Sequence, residues 1–491
     1  MKAAVVFFVS VIYLINSLNA KNDPINEYSQ IYKEINDADK SKNKGEIEEA
    51  NDKYKRAYEK IIKFKETYPD WEKTVVKYRV LELEKSIKET EKADLTPNQK
   101  NTLLIKIPFL KKFSPFLDYI QNKINKRAIK KLEQEFEIEQ KINKIILKRY
   151  KGVSDTISIP FSIGNYKVEF NNTTFKDIER PLKILFLKGF TEIPERAFSG
   201  CKSLKEVNVS SGTLRIRPWA FSGCKNLEKI RFPNSLEIID EGAFAGSNKI
   251  SEIVFQAGLK KIGDRAFAGM KNLERIKFPE TLEFIGNEAF SACSKIKYIT
   301  LPKSVVKIGE EAFWLNESLE EVNILSQISK IENGTFSHCL NLKKVRLPNK
   351  LQEIGDGAFS MCTTLTEIKI PLNVKKVGRN AFDSCVMLQQ IEIPSSCIEI
   401  SEYAFAWCRS LIHVNLKEGL EIIKTMAFSN CISLSVISIP RSVKSIESKA
   451  FSNCKNLKKV YFNNEEVNIA KNAFEGCLVE VKPKKVEESR K

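Results

Sequence analysis

The stretch 273–293, LERIKFPETLEFIGNEAFSAC, decides the fold, because 342–362, LKKVRLPNKLQEIGDGAFSMC, repeats its pattern position by position. Working outward from Phe290, a phenylalanine stands every 23 residues with no insertion: Phe198, Phe221, Phe244, Phe267, Phe290, Phe313, Phe336, Phe359, Phe382, Phe405, Phe428, Phe451 and Phe474. Ala precedes each ring, with Thr335 the one exception, and Ile stands five residues before it, replaced once by Val377. Leu or Ile follows six residues after nearly every ring, and Ile or Val nine after. A period held this strictly marks an array of stacked units, each burying its apolar face only against its neighbours.

The physics of one unit follows from two periodicities. Alternating apolar residues such as Ile299 and Leu301, closed by Pro302, predict a short strand that stops where proline removes a ladder donor. Ala289, Phe290 and Cys293 share helical spacing, which predicts a single helical turn as the return limb. Gly263, Gly286, Gly309, Gly355 and Gly378 stand where the chain turns sharply into that limb, although Glu332, Ser401 and Lys424 hold the same column elsewhere. Successive strands must run parallel, and twelve steps of about 4.8 Å give an array about 58 Å long. The fold class is therefore α/β: a solenoid with a parallel β-sheet over 153–480, preceded by an all-α helical region.

The two quoted stretches resemble the BspA-like class of leucine-rich repeats, carried by extracellular proteins of bacteria and parasitic protists. The resemblance covers about residues 157–480 and implies binding or adhesion through varied surfaces rather than one reaction.

The flanks are different in kind. Residues 1–20, MKAAVVFFVSVIYLINSLNA, place Lys2 before an apolar run and end on Ala20, the layout of a cleaved secretory signal peptide. An uncleaved anchor is the alternative; nothing later reads as transmembrane. Residues 21–95 are charged and helical in period, with Ile47, Tyr54, Ala57, Tyr58, Ile61, Ile62 and Phe64 on the apolar side. Gly45, Ala57 and Pro69 are spaced as in a tetratricopeptide unit, so this region resembles a lone hairpin of that kind, with a third helix beginning near Trp71. Pro97, Pro108 and Pro115 make 96–115 a linker. Over 116–152 one amphipathic helix is expected, with Ile120, Ile124, Ala128, Leu132, Phe136, Ile142 and Ile146 on one side. That helix and the divergent unit around Phe175 are candidates to cover the first edge of the array; Glu465, Glu466 and the charged tail 481–491 could cover the last.

Eleven cysteines in a secreted chain would ordinarily suggest disulfides. Ten of them, from Cys201 to Cys477, share one column with Ser247, Met270 and Asn316, and Cys397 replaces an aliphatic in another. Stacked side chains point the same way, so free buried thiols acting as small hydrophobes are expected. No metal or other cofactor is implied: there is no C-x-x-C, and the histidines are only His338 and His413. Neither has a nucleophile or carboxylate at motif spacing, so the chain reads as a binding protein and not an enzyme.

The formal charge of +18 splits as +7 over residues 21–150 and +10 over 151–491, a spread that favours weak steering over a nucleic-acid groove. Residues eight and ten after each ring alternate with buried ones and face outward. Lys229, Arg231, Arg275, Lys277, Tyr298, Lys344, Arg346, Lys369, His413 and Tyr461 are the candidate ligand-binding face, interrupted by Glu206, Glu252, Glu321, Glu367 and Glu392. The expected partner is an extracellular protein or acidic glycan, and the expected location is secreted or cell-surface. Alternatives are a self-associating envelope or matrix component and an unrecognised hydrolase. Asn171, Asn172, Asn208, Asn316 and Asn333 begin glycosylation sequons.

Overall fold

A computed structural model describes residues 24–69, 73–92, 122, 125–176, 178–186, 189–464 and 466–479. The proposed signal peptide, the linker and the C-terminal tail therefore lie outside the described residues, as does Glu465. The chain divides into two compact units, 1–153 with 160–169 and 187–189, and 154–159 with 170–186 and 190–491.

The first unit opens with helices α1 (Pro24–Lys44), α2 (Ile47–Thr67) and α3 (Lys73–Lys92). Bonds from Tyr54 to Asp39 and from Lys60 to Glu34 pair α1 with α2 antiparallel, and Tyr58 to Glu84 pairs α2 with α3 the same way. Ile31, Ile35, Ala57, Ile61 and Phe64 close the core. The tetratricopeptide-like hairpin is present in part: Gly45 sits between α1 and α2 at φ +84°, where its lack of a Cβ lets the chain reverse.

One amphipathic helix over 116–152 is not what forms. Among the described residues helix covers 125–135, and the chain then becomes a hairpin, Phe136–Lys141 antiparallel to Lys144–Tyr150. The apolar residues of 136–150 fit period two as well as period 3.6, and the β-branched Ile138, Ile145 and Ile146 favour the strand. Asn143 turns the chain at φ 60°, leaving Ile142 92% exposed, while Phe136, Ile145 and Leu147 are buried. Tyr166–Phe170 and Ser162–Ile163 complete a four-stranded sheet.

The second unit is the expected solenoid, and Phe175 extends the 23-residue ring column to fourteen members. From Phe198 to Phe474 neighbouring rings are stacked, with centroids between 5.1 and 5.6 Å apart and planes within 3° to 14°. Phe175 joins at 5.3 Å but tilted by 28°, so the unit set down above as a candidate cover supplies the first ring of the stack. Phe232, Phe255, Phe278 and Phe462 meet the column edge-on, as Phe278 does Phe290 at 5.6 Å and 79°. Such pairs contribute about 0.5–1.5 kcal/mol each beyond burial.

Nearly every coil carries a strand where expected, for example Tyr298–Leu301 parallel to Glu321–Ile324, whereas the coil of Phe359 has only an isolated bridge from Glu367 to Gln390. It also carries a second one. The Ile five residues before each ring lies in a two-residue strand, and these pair in parallel from Glu192–Ile193 to Lys307–Ile308 and from Lys330–Ile331 to Asn468–Ile469.

The return limb is no helical turn. Glu288 and Ala292 take φ of 51° and 54°, which rotates alternate N–H groups out of the coil. The N–H groups of Glu288, Phe290 and Ala292 donate to Glu310, Ala312 and Trp314 of the next coil at 2.8, 2.8 and 2.7 Å, while Ser291 donates back to Glu288 at 3.0 Å. Helical spacing of Ala, Phe and Cys thus reports a shared inward direction, with hydrogen bonds passed between coils. The glycine before each Asp or Asn permits close approach: a Cβ on Gly286 would fall 2.6 Å from the backbone of Asp264, whose carboxylate accepts from the N–H of Asn287 at 2.8 Å. Asn287 in turn accepts from Glu310.

The eleven thiols are free. They do more than fill space: Cys224 donates to the carbonyl of Phe198 at 3.0 Å and Cys293 to that of Phe267 at 3.2 Å. Where cysteine is absent, Ser247 and Asn316 make the same bond, to Phe221 at 2.8 Å and Phe290 at 2.9 Å. The column thus favours a small donor for a buried carbonyl, with the apolar Met270 the exception. Burial pushes Cys293 and Cys339 up to about 12.

Two outcomes follow from this packing. Phe290→Ala should cost about 3–5 kcal/mol in urea unfolding, since the stiff stack closes the hole poorly, whereas Lys277→Ala should stay within about 0.5 kcal/mol. The second concerns alkali. An unfolded thiol ionises near 9.0 and the buried one only near 12, so each thiol's contribution is intact below the first value and is lost as pH rises between them. The urea midpoint in reductant should therefore fall through that window, and replacing Cys293, Cys339 and Cys362 by Ser should flatten the fall.

Candidate functional site

All ten residues of the candidate face are exposed, as the alternation requires, and nine of them lie on strands of the longer ladder; Lys369 stands two residues after the isolated bridge at Glu367. They do not form one basic cluster. In the column eight after the ring, acid and base alternate from coil to coil: Glu206, Lys229, Glu252, Arg275, then Tyr298, Glu321, Lys344 and Glu367. Arg275 meets Glu252 through two contacts at 3.3 Å, which hold its guanidinium charged and the Glu252 carboxyl below its ordinary range. Arg231 meets Glu206 at 3.2 Å. In the column ten after the ring the bases are Arg231, Lys277, Arg346 and Lys369, with Glu392 the only acid. Among the described residues Lys277, Arg346 and Lys369 make no ion pair, and neither do Lys229 and Lys344 of the column eight after the ring, so the free positive charge of this face spans both columns. Tyr298 and Tyr461 project as isolated rings, and His413 stands on the strand His413–Leu416.

Sequence reasoning missed a second surface, on the turn limb. Two adjoining hollows share Arg379 and Asn380; one of about 330 Å³ is lined also by Asp383, Ser384, Tyr403 and Trp407. The other, about 320 Å³, includes Trp314, Gly334, Ser337, Asp356, Gly357 and Ser360. The groove exists because side-chain size varies along three columns. One residue after the ring the chain has Ser or Ala in most coils, but Trp314 and Asp383 here. Two before it, Gly334 and Gly357 leave a gap, and a Cβ on Gly357 would meet nothing within 4 Å. These departures from the repeat were the available signal, in columns whose small residues looked like turn formers. Desolvation raises Asp383 above the ordinary aspartate range, and its carboxylate accepts from the Ser384 hydroxyl at 3.2 Å. Arg379 approaches Glu402 at 3.5 Å and lies over the Tyr403 ring; Arg409 lies over Trp407.

His338 bonds to the Ser337 hydroxyl at 2.8 Å and meets the edge of Trp314, and among the described residues no carboxylate bonds to its imidazole to complete a catalytic relay. No group of three or more His, Cys, Asp or Glu is placed to hold a metal ion among the described residues. Asn316 leaves the set of accessible sequons: it is fully buried, with its amide spent on Phe290 and Phe313 carbonyls. No helix among the described residues is long and apolar enough to cross a membrane.

The chain is similar in fold to several solved proteins. A leucine-rich repeat protein of Bacteroides ovatus is 24% identical, with 70% of this chain and 91% of that one covered and a TM-score of 0.49. A leucine rich cell surface protein of Faecalibacterium prausnitzii is 22% identical, over 67% and 93% of the two chains, with a TM-score of 0.41. The pneumococcal vaccine antigen PcpA is 19% identical, over 68% and 96%, at 0.43. No curated protein matches the chain. The description of the BspA type leucine rich repeat region (6 copies) matches residues 162–297, 260–389 and 375–483, which hold the ring column, both ladders and the turn limb. The chain is a member of the BspA-type leucine-rich repeat family.

Proposed function

We propose that the chain is a secreted or cell-surface recognition protein that binds an acidic extracellular partner, protein or glycan, through the longer ladder. The observation that carries this reading is the column of Lys277, Arg346 and Lys369, whose charges no carboxylate of the described chain answers. An unpaired cation on a rigid strand needs no reorganisation to meet an anion, and such complementarity raises the association rate as well as affinity. In the neighbouring column Arg275 is already engaged by Glu252, so it contributes register between coils more than attraction, while Lys229 and Lys344 make no ion pair among the described residues and add to the attraction. Binding, and not turnover, is the activity proposed, because the Ser337–His338 pair has no carboxylate bonded to its imidazole among the described residues and the thiols of the repeat column from Cys201 to Cys454 are buried.

Heparin serves as the polyanionic probe. The purified chain should be retained on immobilised heparin at low salt and released as salt rises, and the variant carrying Lys277→Glu, Arg346→Glu and Lys369→Glu should lose about tenfold or more in affinity. Equal retention of the two proteins would contradict the assignment of this face.

A further inference from the structure

We propose that the groove on the turn limb between Trp314 and Trp407 is a binding site for a neutral saccharide chain, separate from the ladder face and independent of the reading given for it. The first argument is shape. Trp314 closes one end, Tyr403 and Trp407 stand at the other, and the floor between them is Gly334, Ser337, Gly357 and Ser360. Trp314 and Trp407 belong to the coils of Phe313 and Phe405, four coil steps apart, so at about 4.8 Å per step the trough is about 19 Å long. That is room for several sugar rings in a row.

The second argument is the chemistry of the lining. Trp407 is 43% exposed and Trp314 and Tyr403 are half-buried, and although Arg409 and Arg379 lie over Trp407 and Tyr403, the rings line the hollows with flat apolar surface whose negative quadrupole suits the weakly positive C–H face of a pyranose. Between the rings stand short polar groups that bond well to hydroxyls. The Asn380 amide and the Ser360 hydroxyl have no hydrogen bond within the described chain, and Asp383 accepts from Ser384 alone, so donors and acceptors remain for a ligand. The floor has no aliphatic side chain, hence no pocket for the apolar anchor that a bound peptide normally uses.

The third argument is charge. Glu311, Asp356 and Asp383 face one guanidinium, that of Arg379, giving the groove a formal −2 on a chain of +18. Arg379 is moreover drawn to Glu402 outside the groove, at 3.5 Å. A sulfated or sialylated chain would be repelled here while the ladder face attracts it. An uncharged sugar pays no such cost, and carboxylates accept from vicinal hydroxyls strongly because the acceptor is ionised.

The test is titration of the full chain with neutral gluco-, manno- and chito-oligosaccharides, alongside heparin fragments and oligolysine, read by calorimetry and by tryptophan fluorescence. At least one neutral oligosaccharide should bind and shift the fluorescence. Trp407→Ala should weaken that binding by about tenfold, and Asp383→Asn should weaken it too. Because Asp383 has its pKa raised in the fold, its ionised form burdens the native state at neutral pH, so Asp383→Asn should fold with an unchanged or higher melting temperature. That readout separates a lost ligand from a lost fold. The triple ladder variant should bind neutral sugar as the parent does. The proposal is overturned if none of the neutral oligosaccharides binds, if binding survives both groove substitutions, or if only oligolysine or heparin responds to them. Loss of heparin retention in the ladder variant, with no neutral oligosaccharide bound by the parent chain, would leave the ladder reading intact while removing this one.

Discussion

The hydrogen bond from each ring-bearing residue to the next coil sets the terms for everything else. Phe290 donates its N–H to Ala312 at 2.8 Å while its ring lies 5.6 Å from that of Phe313, so backbone and side chain impose the same register. An added residue in any coil would move its Ile and Leu columns out of alignment with both neighbours. The penalty recurs at every coil, which is the physical reason the ring column runs unbroken from Phe175 to Phe474.

With the interior fixed, variation is confined to columns that face out, and the two exposed faces differ because their backbones differ. The ladder is flat and regular, so its residues speak to neighbours one coil away, as Arg275 does to Glu252. On the turn limb, two residues four apart sit at positive φ, where glycine is easiest and larger residues are tolerated singly, such as Tyr403 at 56° and Trp407 at 59°. A run of small residues beside a run of large ones then makes a groove without any change in the backbone path.

Much of this was legible from the chain itself. The rings, the aliphatic columns, the free thiols and the outward candidates followed from one period, because a solenoid makes each position's surroundings a function of its column. The return limb was misread since helical spacing and inter-coil turns aim Ala289, Phe290 and Cys293 alike, and only the φ values of Glu288 and Ala292 separate them. The second ladder hid in strands of two residues, below any periodicity. Residues 136–150 lie outside the repeat, where the apolar spacing fits helix and strand equally, and the β-branched Ile138, Ile145 and Ile146 with the turn at Asn143 favour the hairpin. The groove was invisible for a further reason: Asp383, Trp407 and Gly357 come from different coils and different columns, and only stacking brings them together.

The lockstep of coils is tested most directly by removing chain in two lengths and following urea unfolding of each product. Deleting 268–290 takes out one whole coil and joins Phe267 to Ser291 in the existing register; deleting 268–289 takes out one residue fewer. The whole-coil deletion should unfold in a single transition close to the parent midpoint, and the other should lose cooperativity or shift to much lower urea. Indistinguishable unfolding of the two shortened chains would contradict the account.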